Sequence, residues 1–414
     1  MASNRRWVVP VSLASLASLL ACSGGEGTMR GSSTTGEDGT TGSITTFDPT
    51  TTIDPSDPTL TGSTSGESGS SGGGDSSESS GATESDSSSS DDGDSSSGSV
   101  DDEAPSVQST TPADLDVGVV PGSSIIVEFS EAMDPATITA DTMDGPCMGS
   151  VQVSVDGFGS CIAMAGAPTS ADDTTFELTP ANPLPSMATV QVRVLDTVTD
   201  AAGNAMEAEF TTATGFVVRY FHTITIDGID DFGPSETLAS STTGHQGKVA
   251  WDADYLYIGM DSPDLAAGSD QVWMVAYLGG VGGGHPIGVT YNTQSPTLSF
   301  DARWHLRWRA DGGFTGGLEW NGVGWVDATF TIEPADVSAL GSFVEMRVPW
   351  TVVGNPDVLD LHLGLLREQD LNEASWAAVP ASSYVDGYDP DYSALFQFDR
   401  AGTIEPASYV PMVR

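Results

Sequence analysis

Residues 248–260 read Lys-Val-Ala-Trp-Asp-Ala-Asp-Tyr-Leu-Tyr-Ile-Gly-Met. From Tyr255 to Met260 the pattern has the two-residue rhythm of a strand, whose successive side chains face opposite sides of a sheet. The rhythm returns in Gln271 to Leu278 and in Trp325-Val326-Asp327-Ala328-Thr329-Phe330, and no long amphipathic helix interrupts the chain between Phe216 and Arg414. Roughly 200 residues of this kind can hold one large sandwich core. Upstream, from Pro105 to about Gly215, shorter alternating runs lie between Pro, Gly and Asp clusters, as in Ile125 to Phe129, Val151 to Val155 and Val190 to Val194. Around seven such runs in about 110 residues predict a small sandwich in which each sheet buries one face and exposes the other. The organised part of the chain is therefore expected to be all-β, with a smaller sandwich over 105–215 and a larger one over 216–414.

The chain opens with Arg5, Arg6 and an apolar run from Trp7 to Leu20, closed by Leu19-Leu20-Ala21-Cys22. An apolar stretch too short to span a bilayer, behind a positive start and ahead of a small residue, reads as a secretory signal peptide over residues 1–21. With cysteine directly after the cut, the pattern resembles the lipobox of bacterial lipoproteins, which implies that Cys22 is acylated and becomes the mature N-terminus. Residues 22–104 form a Ser/Thr/Gly/Asp/Glu tract with almost no aliphatic or aromatic side chains. Burial there cannot offset the entropy of ordering a backbone, so a disordered acidic tether is expected. Roughly 80 residues span about 50 Å as a coil, and repulsion among Asp86, Asp91, Asp92, Asp94, Asp101, Asp102 and Glu103 stretches it further. Position 23 is serine, not the aspartate that known sorting rules associate with inner-membrane retention, so in a Gram-negative cell the expected address is the outer membrane, lipid-anchored and facing outward or into the periplasm.

The formal charge is −45 at pH 7, and Lys248 is the only lysine. So acidic a chain makes nucleic acid and anionic membrane surfaces poor partners, and no nucleic acid is expected; the lipid on Cys22 is the expected membrane contact. A hydrated acidic surface is the simpler reading of this charge, and divalent-cation binding the sharper one. With Cys22 lipidated, Cys147 and Cys161 remain as an even pair in an oxidising compartment. A disulfide between them is expected, closing a loop worth about 3 kcal/mol in the chain-entropy model. No CxxC pattern supports a zinc or redox role.

In the first sandwich, Thr111-Pro112-Ala113, the run Ile125 to Phe129 followed by Ser130-Glu131-Ala132-Met133-Asp134-Pro135-Ala136-Thr137, then Phe176-Glu177-Leu178-Thr179-Pro180 and Thr199-Asp200-Ala201-Ala202-Gly203-Asn204-Ala205 resemble SbsA-type bacterial Ig-like domains. That resemblance implies a spacer or adhesion module. Glu131 with Asp134, and Asp200 with Asn204, invite a catalytic or calcium reading, but Asp-Pro and Asp-x-x-Gly-Asn segments more often shape turns through side-chain to backbone hydrogen bonds. In the second sandwich, Ile224-Thr225-Ile226-Asp227-Gly228, the quoted stretch at Lys248 to Ile258, and Glu345-Met346-Arg347-Val348-Pro349-Trp350 resemble family 9 carbohydrate-binding modules and the wider DOMON-like group. The resemblance implies a β-sandwich, jelly-roll or DOMON-like, that binds a sugar ring against aromatic faces, often with structural calcium.

Eight of the nine tryptophans lie in this second stretch. Trp251 and Trp350 sit inside the matched motifs and are assigned to the core. Four others are candidates for carbohydrate binding, because the C–H face of a pyranose packs on an indole while flanking polar groups select its hydroxyls. Trp304 and Trp308 share one face of a strand whose other face carries Arg303, His305, Arg307 and Arg309, although alternating Trp-Leu-Trp usually points to a core. Trp320 and Trp325 flank Asn321-Gly322-Val323-Gly324, a hairpin loop that would set the two indoles opposite each other. The arginine face, the only basic cluster, would suit a carboxylated or sulfated sugar, but pairing with local acids is the stronger expectation. For calcium, Asp227, Asp230 and Asp231, and separately Asp261, Asp264 and Asp270, are oxygen-rich loops suited to a hard cation and equally to solvated turns; neither has the EF-hand order. No other cofactor is expected. The Gly-rich run Gly279 to Gly284 lacks the spacing and lysine of a phosphate loop.

A non-catalytic, monomeric surface lipoprotein is the leading expectation, with a glycan or cell-surface polysaccharide as its partner. A structural or adhesion protein with a protein partner is the alternative. A haem-binding DOMON-like redox protein, using Met260, Met274, His285 or His362, comes last. No His-Glu-x-x-His, no Gly-x-Ser-x-Gly and no paired-acid spacing supports an enzyme.

Overall fold

The computed structural model describes residues 101–369, 373–388 and 391–414. The signal peptide, Cys22 and the tether up to residue 100 lie outside the described residues. The fold is all-β, and its only helical turns among the described residues are short 3-10 segments.

The first sandwich holds strands β1 (Val107–Thr111), β2 (Val117–Val119), β3 (Ile125–Phe129), β4 (Val151–Ser154), β5 (Thr175–Leu178), β6 (Thr189–Val194), β7 (Phe210–Thr211) and β8 (Phe216–Val218). One sheet has the order β1-β3-β5 and the other β2-β8-β6-β4, with β7 beside β6 and β2 parallel to β8. Alternation decides which side chains enter: Ile125, Val127 and Phe129 of β3 meet Val190, Val192 and Val194 of β6 in a shared core, where Phe129 stands edge-on to Phe176 at 5.8 Å. Sequence signals at the turns act locally. Asp200 accepts both the backbone and the side-chain N–H of Asn204 at 2.8 Å, and Asp134 accepts the N–H of Ala136 at 3.0 Å. Cys147 and Cys161 are joined, with their Cα atoms 5.0 Å apart.

The second sandwich comprises β9 (Thr237–Ala239), β10 (Gln246–Trp251), β11 (Tyr255–Asp261), β12 (Val272–Gly279), β13 (His285–Ile287), β14 (Thr297–Ala302), β15 (Trp304–Arg309), β16 (Thr315–Trp320), β17 (Trp325–Asp327), β18 (Val337–Leu340), β19 (Phe343–Pro349), β20 (Val358–Arg367), β21 (Ala374–Val379), β22 (Ala394–Asp399) and β23 (Met412–Val413). The quoted stretch becomes the β10–β11 hairpin, with Trp251 opposite Leu256 and Ala250 opposite Tyr257. Asp252 closes its turn by accepting the N–H groups of Asp254 at 2.9 Å and Tyr255 at 2.8 Å, and its second oxygen accepts the Tyr257 hydroxyl at 2.7 Å. This hairpin sits in a five-stranded sheet, β18-β19-β11-β10-β9. Facing it is an eight-stranded sheet, β17-β16-β15-β12-β20-β22-β23, with β21 alongside β20.

Between these sheets lies the main core, built from alternate residues such as Ile258 and Met260 of β11, Met274 and Ala276 of β12, and Leu361 and Leu363 of β20. The larger sheet also buries its outer face. Trp273, Val275 and Tyr277 of β12 pack there against Val289, Tyr291, Leu298 and Phe300 of the β13–β14 hairpin and its connection. This third layer is absent from a two-layer reading of the sequence. It is reached through the Gly-rich run, where Gly280 has φ +101° and a Cβ would lie 1.9 Å from the Val358 carbonyl oxygen. The two sandwiches meet at a tight joint: Tyr220 packs in the second core and donates its N–H to the Gly402 oxygen at 2.8 Å, while its neighbour Phe221 packs on the first.

Candidate functional site

Of the eight tryptophans in the second sandwich, Trp320, Trp325 and Trp376 are part-exposed and the other five are buried. Trp320 and Trp325 are brought together by their turn. Asn321 Oδ1 accepts the N–H groups of Val323 and Gly324, both at 2.9 Å, and the Asn321 N–H donates to the Gly324 oxygen at 3.1 Å. Gly322 supplies the φ of +93° that a two-to-four-residue turn of this kind needs. The indoles are then direct register partners, with ring centroids 5.9 Å apart and planes at 67°. They form a corner, not a parallel sandwich.

The third layer completes the site. His285 of β13 stacks on Trp320 at 4.1 Å and 21°, and the Trp325 Nε1–H donates to the Ile287 oxygen at 3.0 Å. The two indoles, His285, Leu318, Gly324 and residues 287–290 line an open cleft of about 460 Å³. No Asp, Glu, Lys or Arg is among its lining residues.

Beneath the cleft wall is a buried polar layer. Tyr277 accepts the Val289 N–H at 3.1 Å, and the Tyr291 hydroxyl lies 2.6 Å from His305 Nε2. On the far side of Tyr277, His362 stacks on Tyr392 at 3.9 Å and meets the Ser383 hydroxyl at 2.9 Å. Burial pulls both histidines down to about 3, the nearby Arg307 cation adding to the effect on His305, so both are neutral imidazoles.

Trp304 and Trp308 are 4% and 5% exposed and belong to the core between the sheets, so neither indole offers a face to a sugar. The reason is the other face of β15: its arginines stay hydrated or paired only if they point outward, which turns both tryptophans inward. The arginines are largely spoken for. Arg303 meets Glu319 and Arg309 meets Asp311, each at 2.7 Å, while the Arg307 guanidinium lies 4.7 Å from the ring of Phe314 and 5.9 Å from that of Trp273.

The two aspartate trios are not brought together into cation sites. Asp230 pairs with Lys248 at 2.8 Å, Asp231 accepts the Thr225 N–H at 3.0 Å, and Asp227 accepts the Ile229 N–H at 2.8 Å. Asp261 accepts the Ser342 hydroxyl at 2.8 Å and Asp264 accepts the Trp376 Nε1–H at 2.9 Å. Each carboxylate is thus engaged in its own turn or pair, Asp270 apart. Among the described residues the acids that converge are Asp101, Glu131 and Asp200, where burial and then the charges of Asp101 and Asp200 raise the Glu131 carboxyl. A residue that the sequence reading passed over is Glu345. Fully buried, it accepts the N–H groups of Asp227 at 2.7 Å and Gly228 at 2.6 Å, tying the Ile-Asp-Gly turn to β19. Of the haem candidates, Met260 and Met274 point into the inter-sheet core while His362 is on the outer side of the larger sheet, so the sheet separates them.

Residues 101–216 match the bacterial Ig-like domain family. This Ig-like domain coincides with the first sandwich. No curated protein sequence matches the chain. Similar solved structures include the N-terminal part of the bacterial S-layer protein SbsC, at 15% identity and TM-score 0.21, covering 50% of this chain and 40% of that one. Another is native alpha-2-macroglobulin from Escherichia coli spanning domains MG0-NIE-MG1, at 10% identity and TM-score 0.22, covering 75% of this chain and 97% of that one. The chain spans well under half of the SbsC fragment's length. Scores of this size establish no shared overall fold. Among the described residues, no helix is long and apolar enough to cross a membrane.

Proposed function

We propose that this is a non-catalytic surface lipoprotein, anchored in the outer membrane through Cys22, whose Ig-like domain carries a sugar-binding sandwich at its C-terminal side. The observation behind the sugar reading is the half-buried Trp320–Trp325 corner in an open, uncharged cleft. Indole faces pack on the C–H groups of a pyranose, and the exposed Thr290, whose hydroxyl meets that of Ser295 at 2.7 Å, sets a polar group at the edge of the cleft for its hydroxyls. A neutral glycan suits the site better than a uronic or sulfated one, because no cation lines the cleft and the chain's charge of −45 repels anions.

A glycan array probed with the full chain, with and without calcium, tests this. Retention of a neutral oligosaccharide is expected, with Trp320→Ala and Trp325→Ala each weakening it about tenfold or more, since a central aromatic anchor is worth about 1.4 kcal/mol or above. Retention of no glycan, or equal affinity in both variants, sinks the reading. Val323, 90% exposed at the hairpin tip, favours a second reading in which the same end of the domain grips a protein. A defined partner that still binds after both tryptophan changes would establish it. For the anchor, Cys22→Ser should move the chain from the membrane fraction to the soluble one; unchanged fractionation would remove lipidation from the proposal.

A further inference from the structure

We infer that Tyr277, which does not line the cleft, is its positioning residue: the phenol sets the distance between Trp325 and the wall at 288–290. This rests on the sugar reading above and adds to it the residue that governs how well the cleft is formed. Tyr277 is on β12, whose neighbours on either side, β15 and β20, make it one of the central strands of the larger sheet, and it is 2% exposed. Its ring is wedged between two parts of the site and its support. It stands edge-on to Trp325 at 6.2 Å and 66°, and leans on His305 at 4.3 Å.

Its hydroxyl reaches the wall itself. Gly288 donates to the Pro296 oxygen at 2.7 Å, and Tyr291 and Gln294 exchange backbone hydrogen bonds at 2.9 and 2.8 Å. Between these two ladder contacts the chain has left β13, and the buried Val289 N–H goes to Tyr277 Oη. The approach is close: a Cβ on Gly288 would lie 2.7 Å from Tyr277 Oη and 2.8 Å from Pro296 Cγ. A buried amide must have a partner, so losing this oxygen either leaves the Val289 N–H unsatisfied or lets the wall move to find water. The wall carries Ile287, whose oxygen holds the Trp325 indole, so a shift there also loosens Trp325. One buried hydroxyl thus couples wall and indole, and the aromatic corner is preorganised before a ligand arrives.

The test uses the full chain with Tyr277→Phe, which keeps the ring and removes only the oxygen. Calorimetric affinity for the neutral oligosaccharide retained by the parent should fall about fivefold to tenfold while the chain remains folded, and amide exchange at 287–290 should quicken. Gly288→Ala, which pushes the wall off the phenol, should weaken binding in the same direction and guards against a variant that fails to fold. If Trp325→Ala loses the sugar while Tyr277→Phe and Gly288→Ala retain parental affinity, the inference is overturned and the sugar reading stands. If the parent binds no sugar, the sugar reading falls by itself. Exchange then decides the remaining claim: unchanged protection of 287–290 in Tyr277→Phe overturns it, and a local loss confined to those amides upholds it.

Discussion

Trp304→Ala is expected to lower the folding stability of the second sandwich by about 3–5 kcal/mol, the range for removing a buried tryptophan. The side chain is 4% exposed in the core shared by both sheets, and its ring edge faces Gly354, where a Cβ would lie 3.0 Å from Trp304 Cη2. No rotamer change closes a void of that size between two β-sheets, because interiors are packed at crystal density. Trp320→Ala, sixteen positions on, should behave in the opposite way. Its ring is half-exposed, so stability should change little while sugar binding weakens about tenfold or more. Denaturant midpoints and sugar affinities of the two variants, measured side by side, separate the roles. A Trp304→Ala protein that unfolds like the parent but no longer binds sugar would place Trp304 in the site instead.

The second large effect is acid sensitivity centred on His305 and His362. Each has its folded value pulled down to about 3 by burial, whereas in the unfolded chain an imidazole titrates near 6.5. Between those values the unfolded chain binds a proton that the folded one refuses, so stability falls as the pH falls. The slope is about 1.4 kcal/mol per pH unit for each histidine, from roughly pH 6.5 downward. Depressed carboxylates act in a lower window: Asp156, held near 2 by hydrogen bonds from Ser160 and Ser154, favours the fold above the ordinary aspartate range and loses that effect only as pH drops towards 2. Unfolding midpoints between pH 7 and pH 4.5, taken at high ionic strength so that repulsion across the acidic chain is screened, should therefore decline steeply. In His305→Gln/His362→Gln the decline should flatten, even if the variant is less stable at pH 7. An equally steep decline in that double variant would show that other groups set the acid limit.

How much of this was legible beforehand depends on the distance over which each feature is decided. Strand rhythm at 255–260 was readable because a period of two needs only a few neighbours, and Leu256, Ile258 and Met260 do share the inward face; Trp251, assigned to the core from the motif around it, lies there too. The turn at 321–324 was equally readable, since Asn321 and Gly322 carry its hydrogen bonds and its positive φ within four residues. Alternation also placed Trp304 and Trp308 on one face, but whether that face was core or site could not be told from one strand. The aspartate trios show where spacing stops being informative. Acids close in sequence looked like a ligand set, yet Asp230 turned to Lys248 and Asp264 to Trp376, partners that lie on other strands.

Sequence by itself determined the all-β class, the Ig-like stretch at 101–216 and the facing of Trp320 and Trp325 across their turn. Only the tertiary structure decided that the larger sheet has a third layer, that His285 comes to lie on Trp320, and that Tyr277 props the wall between them. Local rhythm and turn chemistry act through a few covalently linked residues, so they are written in the chain. The cleft depends on β12 lying between β15 and β20 with a hairpin folded over it, a strand order set by which faces can bury together, and that is a property of the whole packed domain.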